Sequence, residues 1–263
     1  MPQTTASLQR APRKGALFAF WLLYLLSGSV WAGQCLPFQV DEWVDVAHVH
    51  DGDTVKLTDG RKLRLIGINT PEIGHDGDLP EPLALKARQV LKALVGQDRR
   101  LALRYGIDQK DRYGRLLAHA YLPDGRNVQE LLLQQGLAVA VVVAPNLANV
   151  DCYFAAEQRA DGKGVWRVSR YRGIETSELP KDASGFQIIM GKVTHVGESR
   201  RAYWLNFPGK VAARIDKRHS SGFDGHLNLA QLKGKTIKIR GWMFHRKGER
   251  QMRIDHPAAI EVM

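Results

Sequence analysis

The stretch that decides the fold is DGDTVKLTDGRKLRLIGINTPE, residues 51–72. Apolar and polar residues alternate over 54–57 and again over 63–65, and the turn-forming sequence TDGR separates the two runs. This pattern predicts two antiparallel strands joined by a tight turn. In such a hairpin the start of the first strand lies beside the end of the second. The sequence therefore predicts that Asp53 lies close to the polar loop at 69–72.

A second pair of strands and three helices follow this hairpin. Alternation predicts strands over 101–105 and 116–122, the second ending at the turn sequence PDG. Helical spacing and capping residues predict helices over 81–95, from Asn127 to Gly136, and from Asn149 or Asp151 towards Gly162. Strands with helices between and after them indicate an α+β fold, most simply a small β-barrel with helices packed around it.

The chain divides at a polar segment, 171–184, which contains Gly, Pro and few apolar residues and is predicted to be a linker. Downstream, residues 185–263 are predicted to be mainly β, with strands over 188–196, 203–207, 236–242 and 252–254 and a short helix over 227–232. This number and order of elements is typical of a second, OB-like barrel. Another small barrel or a sandwich would give the same pattern.

The N-terminal segment, residues 1–32, is typical of an export signal peptide. Three basic residues at 10–14 precede the apolar run 15–26, and small residues allow cleavage between Ala32 and Gly33. The domain that follows is then predicted to cover 33–170.

The alternative for this segment is an uncleaved membrane anchor. The apolar stretch 16–32 has 17 residues, at the lower limit of the ~17 to 25 that span a bilayer, so a cleaved signal is favoured. We therefore expect an exported protein, periplasmic or secreted, with no stable membrane insertion after cleavage.

Cys35 and Cys152 are the two cysteines of the chain. In an oxidising compartment two remaining thiols are candidates for one disulfide, and their separation excludes a C-x-x-C redox or zinc motif. The alternative is a buried, unreactive Cys152 and a free thiol at Cys35.

The composition is that of a globular protein with a basic surplus. Hydrophobic residues make up 44% and charged residues 25% of the chain, which excludes wholesale disorder and a multi-span membrane protein. The formal net charge is +11, and removing the three basic residues of the signal leaves +8. Such a charge attracts polyanions, of which nucleic acid is the most common.

Polar groups accumulate where the predicted strands end. Oxygen atoms from Asp53, the Asn69 side chain and a backbone carbonyl suit a hard cation such as Ca²⁺. Glu72, a short step further, is placed to orient or deprotonate a water molecule. The sequence DRYGR at 111–115 delivers Arg115 from a separate turn.

Five ordered motifs resemble the staphylococcal nuclease (thermonuclease) family. They are DGDT (51–54), RLIGINTPE (64–72), DRYGR (111–115), QQGLA (134–138) and GVW ending at Trp166, within a match that covers roughly residues 44–169. The resemblance implies a five-stranded OB-like barrel with three helices, a Ca²⁺ requirement, and phosphodiester cleavage of DNA and RNA that leaves 3′-phosphates.

The resemblance also implies a role for each residue of the site. Asp53, Asn69 and the Thr70 carbonyl correspond to the metal ligands, and Glu72 corresponds to the general base.

Two arginines and a tyrosine complete the set that the resemblance implies. Arg64 and Arg115 correspond to the groups that bind the reacting phosphate. Tyr113, with Arg112 beside it, corresponds to the part that binds a terminal phosphate of the substrate.

The chain departs from the family pattern at two places. Asn69 stands where the archetype has an aspartate, which keeps a carbonyl oxygen but removes one negative charge and predicts weaker Ca²⁺ binding. Val141, Val142 and Val143 occupy the neighbourhood of the tyrosines that line the archetype's nucleotide pocket. Base stacking in that pocket is therefore not expected.

The main alternative function is a catalytically weak or inactive nuclease-fold protein that binds nucleic acid or acts in the cell envelope. Such proteins usually lose the acidic and arginine set. Asp53, Arg64, Glu72 and Arg115 are all retained and favour an enzyme, whereas Asn69 argues the other way.

The C-terminal region offers a second hypothesis, a basic aromatic platform for single strands. Its candidate residues are Trp204, Phe207, Trp242 and Phe244 with Arg200, Arg201, Arg240 and Arg246. Aromatic residues at such positions are more often part of a core. The histidines at 50, 75 and 119 share no zinc-ligand spacing.

Overall fold

The computed structural model describes Met1, Cys35 and residues 39–74 and 78–263. The chain divides into two units, Met1–Ala32 and Gly33–Met263. The predicted signal peptide falls in the first unit and, except for Met1, lies outside the described residues. Where the structure is described, helices are all too short or too polar to cross a membrane.

The first region of the second unit contains a closed five-stranded barrel with the strand order β1-β2-β3-β6-β5. The strands of this region are β1 (Glu42–Val49), β2 (Thr54–Leu57), β3 (Lys62–Leu65), β4 (Ile68–Asn69), β5 (Arg100–Lys110), β6 (Leu116–Tyr121) and β7 (Val139–Ala140). The predicted hairpin is confirmed, because β2 and β3 pair with Thr54 opposite Arg64. β3 continues the ladder by pairing in parallel with β6.

Three helices surround the barrel, as predicted: α1 (Ala84–Val95), α2 (Val128–Gln134) and α3 (Val150–Gln158). Asn127 caps α2 by accepting a hydrogen bond from the Glu130 backbone N–H, and α3 begins after Asn149. The prediction for the first helix started too early, at position 81. Leu83 has a φ of 74°, a left-handed conformation that interrupts the chain just before α1.

A disulfide fixes the N-terminal end of the described chain to α3. Cys35 and Cys152 are joined, with their Cα atoms 5.7 Å apart and a sequence separation of 117 positions. The backbone N–H of Cys35 also donates to the buried carboxylate of Glu130 on α2. The disulfide therefore closes a long loop in the region of the first barrel.

The rest of the chain is mainly β, as predicted. After the short helix α4 (Ser169–Arg172), its strands are β8 (Ile174–Glu175), β9 (Gly185–Lys192), β10 (His195–Glu198), β11 (Ala202–Phe207), β12 (Val211–Asp216), β13 (Thr236–Arg246), β14 (Glu249–Ile254) and β15 (Ile260–Val262). The predicted short helix is a 3₁₀ turn over Leu229–Leu232. β8 pairs with β9, so part of the segment predicted as a linker belongs to the sheet.

This second sheet has an OB-like strand path. Its order is β10-β11-β12-β14-β13-β9-β8, with β15 on the edge of β13. Only Val193 and Thr194 separate β9 from β10, and they bond to Lys235 and to Asn206 of β11 respectively. β9 and β10 are therefore consecutive pieces of one bent strand that takes part at both sides of this order, and we call the sheet the second barrel.

An apolar cluster and an ion pair join the two barrels. Tyr171 and Val165 pack with Phe186 and Ile188 of β9 in one buried cluster. Beside it, Arg240 of β13 and Glu157 of α3 form a buried ion pair.

Arg240 Nη1 lies 2.6 Å from Glu157 Oε1 and also donates to the Ala140 carbonyl at 3.2 Å. Glu157 accepts from the Ala140 N–H at 2.6 Å. Burial raises the pKa of Glu157, and the charge of Arg240 opposes that rise. The β7 strand is thus held by groups from both barrels.

Candidate active site

Asp53 is the centre of the site and is almost completely buried at the start of the hairpin. Its Oδ2 accepts hydrogen bonds from the Thr70 backbone N–H at 2.9 Å and from the Thr70 hydroxyl at 3.0 Å. Its Oδ1 accepts from the Thr54 hydroxyl at 3.1 Å. The predicted meeting of Asp53 with the 69–72 loop is therefore observed.

Arg64 lies on the return strand of the same hairpin and points at Asp53. Its Nη1 is 2.6 Å from Asp53 Oδ2, and its Nη2 donates to Asn69 Oδ1 at 3.2 Å. The guanidinium also donates to the carbonyls of Leu65 and Ile68. These bonds fix Arg64 at the junction of β3 and β4.

Asn69 and Thr70 are buried beside Arg64 and Asp53, at the end of β4. β4 pairs with β7, which places Asn69 opposite Val139. The Asn69 side-chain N–H donates weakly to the Thr70 carbonyl at 3.4 Å. The Asn69 amide oxygen is consequently turned towards the positive guanidinium and away from the carbonyl.

The donor chemistry of this group fits a hard cation. Oxygens of Asp53 and Asn69 converge on positive charge, which the Arg64 guanidinium supplies in this structure. Burial raises the pKa of Asp53 to about 7, while Arg64 opposes the rise and Asp51 adds to it. A buried carboxylate whose ionised form is costly is stabilised by a bound cation.

Gly52 allows the loop that carries Asp53 to lie against its neighbours. A Cβ at this position would approach the Ala87 Cβ to 2.7 Å and the Thr70 Cβ to 2.8 Å. Both contacts are too short for real carbon atoms, so only glycine lets the DGD segment pack between α1 and the 69–72 loop.

The backbone of Glu72 is held by two hydrogen bonds with Glu81, nine residues later in the chain. Its N–H donates to Glu81 Oε2 at 3.0 Å, and the Glu81 N–H returns a bond to the Glu72 carbonyl at 2.9 Å. Glu81 is in turn bound by the Arg170 guanidinium and by the Tyr171 hydroxyl, the latter at 3.2 Å. The position of the Glu72 backbone therefore depends on residues next to the second barrel.

Arg115 comes from the turn between β5 and β6. Its Nε lies 2.7 Å from Asp111 Oδ2, and its backbone N–H donates to Asp111 Oδ1 at 2.9 Å. Burial alone would raise the pKa of Asp111, but the bonds from Arg115 hold it below its usual value. Asp111 is thus an ionised partner that fixes the direction of Arg115.

Tyr113 and Arg112 lie on the outer side of this turn. The tyrosine is 69% exposed, and its hydroxyl accepts from Arg112 Nη2 at 2.7 Å. The Arg115 guanidinium lies 5.7 Å from the centre of the Tyr113 ring. Both residues predicted to bind substrate therefore stand next to Arg115 and are open to solvent.

One cavity of about 310 Å³ gathers the predicted residues. Asp53, Glu72 and Arg115 line it, together with Asp51 and His50 and a wall of neighbouring side chains (His48, Thr54, Val55, Lys56 and Lys62). Arg64, Asn69 and Thr70 lie behind this wall, in contact with Asp53 or with one another.

The sequence reasoning missed two contributors to the site. Asp51 is not among the predicted site residues, yet it is buried, lines the cavity and accepts from the Asp53 N–H at 2.9 Å. The signal for it was the repeat of two carboxylates around one glycine. Glu81 was interpreted as the first residue of a helix, and no local pattern marks its long-range bond to Arg170.

Several other residues named from the sequence lie outside this cavity, and His75 lies outside the described residues. Val141 is buried in the cluster between the barrels, so it is a packing residue. His119 is buried in the first barrel and hydrogen-bonds to the Tyr153 hydroxyl at 2.7 Å. Cys35, Cys152 and Glu130 bring three possible metal ligands together, but both sulfurs are committed to the disulfide.

Comparison with known proteins finds similarity to nucleases. A family model described as "Staphylococcal nuclease homologue" matches residues 62–168. "Endonuclease YncB" of Bacillus subtilis (strain 168) is 39% identical over 128 residues, 46% of this chain and 60% of that protein. "SPbeta prophage-derived endonuclease YokF" of the same strain is 37% identical over 139 residues, 49% of this chain and 46% of that protein.

A third relative is matched over more of its length. "Thermonuclease" of Staphylococcus hyicus is 33% identical over 127 residues, which cover 46% of this chain and 73% of that protein. By contrast, the match spans less than two thirds of the two Bacillus subtilis proteins.

Proposed function

Because this chain belongs to the staphylococcal nuclease family, we propose that it is a Ca²⁺-dependent nuclease that hydrolyses phosphodiester bonds of DNA and RNA. The observation that carries the proposal is the convergence of Asp53, Glu72 and Arg115 on one cavity, with Arg64 bound to Asp53 behind it. The relatives named above as endonucleases and thermonuclease support the same reaction.

Each residue has a chemical task in this proposal. Asp53, the Asn69 side chain and the Thr70 carbonyl would hold the cation. A bound Ca²⁺ would supply positive charge next to the phosphate and so stabilise the negative charge that develops there.

Glu72 would accept a proton from the attacking water, a task that is typically worth 10²- to 10⁴-fold in rate. Its backbone N–H is bound by Glu81, which fixes the point from which the side chain extends. Arg64 and Arg115 would stabilise the charged phosphate oxygens, because a guanidinium matches two such oxygens at once. Losing one preorganised donor of this kind costs about 3 kcal/mol in the transition state.

The proposal includes export. Residues 1–32 carry the pattern of a signal peptide, and a disulfide persists mainly in oxidising compartments. An exported chain should have Gly33 as its first residue, and its intact mass should show no alkylated cysteine under non-reducing conditions. An intracellular protein that retains residues 1–32 would contradict this part of the proposal.

The test of the activity is digestion of plasmid DNA and of structured RNA by the purified chain, with Ca²⁺ and with a chelator. We expect both substrates to be cut with Ca²⁺ and neither with the chelator. Glu72→Gln, purified identically, serves as the control for contaminating nucleases. If neither substrate is cut with Ca²⁺, the alternative of an inactive, nuclease-fold binding protein is correct.

A further inference from the structure

The positive charge of this protein lies almost entirely in the second barrel. Residues 33–170 contain eighteen Lys and Arg and eighteen Asp and Glu, a net charge of zero. Residues 185–263 contain fifteen Lys and Arg against six Asp and Glu, a net charge of +9. The net charge therefore attracts a polyanion more strongly to the second barrel than to the barrel that holds the candidate active site.

Many of these cations are free to bind a ligand. Six are paired with carboxylates, and Arg250 is buried against the backbone carbonyls of Leu179, Pro180 and Gly209. Eight others are exposed and form no ion pair within the described residues: Lys192, Arg200, Arg201, Lys210, Lys233, Lys235, Arg246 and Lys247. A carboxylate partner for these eight is therefore missing from the described part of the protein.

The fold places four of these cations around one face. Arg200 and Arg201 lie in the turn between β10 and β11, Arg246 is the last residue of β13, and Lys247 lies in the turn from β13 to β14. In an OB-like strand path, these are the first hairpin turn and the last one. Those two turns flank the face made by the second and third strands, where OB folds bind oligonucleotides.

Aromatic groups lie on or beside that face. Trp204 of β11 is half-buried and lies opposite Arg214 of β12, whose guanidinium is 6.0 Å from the centre of the indole ring. Phe244 of β13 is 38% exposed and pairs across the ladder with Gln251, which itself pairs with Ala212 of β12. The face therefore carries aromatic surface between its two basic turns.

Two members of the platform suggested by the sequence do not belong to it. Phe207 is buried in the core of the second barrel. Arg240 is committed to the buried pair with Glu157 at the junction of the barrels. The platform is therefore smaller than the sequence suggested and is centred on β11 and β12.

We propose that the β11–β12 face of the second barrel binds single-stranded nucleic acid, with Arg200 and Arg201 on phosphates and Trp204 stacked on a base. This proposal rests on the proposed nuclease function, because the second barrel would then be the module that captures the substrate of the nuclease. Single strands are favoured over a duplex because stacking on an aromatic ring requires an unpaired base.

The size of the face fits a short segment. β11 has six residues, which extend about 20 Å at roughly 3.3 Å per residue. Two carboxylates of this region are neutralised by ion pairs. Asp216 is bound by Arg214 and Arg218, and Glu198 is bound by Lys217. Glu249, the first residue of β14, is an acid next to the β13–β14 turn. Charge complementarity with a polyanion is therefore retained.

The test is binding of a fluorescent twelve-nucleotide oligothymidylate to the full chain in a chelator, where the binding does not depend on Ca²⁺. Arg200→Ala with Arg201→Ala removes two phosphate contacts, so affinity should fall about tenfold or more at 0.1 M salt. The slope of log affinity against log salt should become shallower by about 1.4. Trp204→Leu should weaken binding about tenfold without changing that slope.

The matched control is Lys92→Ala with Lys163→Ala, which removes two exposed cations from the first barrel region. We expect the parent affinity and slope for this variant. A melting temperature equal to that of the parent would show, for each variant, that the fold is intact. With Ca²⁺ and a single-stranded substrate, the Arg200 and Arg201 variant should raise KM and leave kcat unchanged.

The outcomes separate this inference from the proposed function. If the arginine and tryptophan variants bind the oligonucleotide as the parent does, the inference is wrong, whatever the nuclease activity. If they lose binding while the parent fails to hydrolyse with Ca²⁺, the inference stands and the proposed function falls. Tighter binding to anionic phosphatidylglycerol vesicles than to the oligonucleotide would assign this face to a membrane surface and also overturn the inference.

Discussion

In the first barrel the ladder runs β1-β2-β3-β6-β5, with β3 and β6 parallel, and in the second it runs β10-β11-β12-β14-β13, with β12 and β14 parallel. The same strand path thus occurs twice. The first barrel has no net charge and concentrates buried carboxylates and arginines at the rim of one hairpin. The second has a net charge of +9 and exposed basic turns. The same strand order therefore carries a buried acidic and arginine site in one barrel and exposed basic turns in the other. The side chains at the strand ends make the difference.

The largest effect should come from the reacting groups of the first barrel. We expect Glu72→Gln and Arg64→Ala each to lower the cleavage rate by at least about a hundredfold, because one removes the base and the other a charge that stabilises the transition state. The measurement is initial rate on plasmid DNA at saturating Ca²⁺. Arg218→Ala, an exposed change in the second barrel, is the comparison and should keep the parent rate. Near-parent turnover by either of the first two variants would remove the catalytic assignment.

The disulfide distinguishes the barrels in stability, because both cysteines lie in the first region. Replacing Cys35 and Cys152 together with Ser should lower the free energy of unfolding by about 4 to 5 kcal/mol, the chain-entropy value for a loop of over a hundred residues. Urea unfolding of the oxidised parent and the variant measures this difference. Equal midpoints for the two proteins would show that the bond does not stabilise the fold.

The pair that joins the barrels should be the next most sensitive contact. Arg240→Met leaves the buried Glu157 carboxylate without its charge partner, which should cost about 3 to 5 kcal/mol. Adding Glu157→Gln to this variant removes the uncompensated charge and should restore much of the loss. A double-mutant cycle by urea unfolding measures the coupling. Additive losses would mean that the two side chains do not stabilise each other.

A buried histidine should give the first barrel a pH-dependent stability. Burial lowers the pKa of His119 to about 4, and Arg104 adds to the shift. The unfolded chain takes up this proton at about pH 6.5, so the stability is complete above that pH and is lost as the pH falls towards 4. Between pH 7.5 and pH 5 the loss should be about 2 kcal/mol.

The variant His119→Gln isolates this contribution. Its unfolding free energy should depend less on pH than that of the parent, with the difference between the two curves appearing below about pH 6.5. Parallel curves for the two proteins over this range would show that His119 titrates normally in the folded state.

Local sequence signals were sufficient for much of this architecture. The hairpin at 54–65 was visible because alternation and an Asp-Gly turn agree, and α2 because Asn127 is a favourable N-cap residue, which the structure confirms. The reciprocal bond expected from the Glu130 side chain is replaced by its bond to the Cys35 N–H. Asp53, Arg64 and Glu72 were recognisable because the motifs that contain them resemble, in order, those of the staphylococcal nuclease family. In these cases the structure depends on residues close in sequence.

The contacts that the sequence could not give are those between distant segments. The pairing of β4 with β7 holds Asn69 against a strand seventy residues later. Glu81 and Arg170 are separated by 89 positions, and Glu157 and Arg240 by 83. Periodicity carries no information about which distant partner a charged side chain will meet. The strand β12 was not predicted either, because its sequence, VAARID, is short and rich in small residues.

The most direct test of the cation site in the first barrel is a Ca²⁺ titration of cleavage by the parent, Asn69→Asp and Asp53→Asn. If Asn69 and Asp53 hold the cation, Asn69→Asp adds a negative ligand and should lower the Ca²⁺ concentration for half-maximal activity, and Asp53→Asn should raise it. Ligand charge should affect the metal affinity first and the maximal rate only secondarily. If the curves of both variants overlay the parent curve, Asp53 and Asn69 are not metal ligands and the account of this site is wrong.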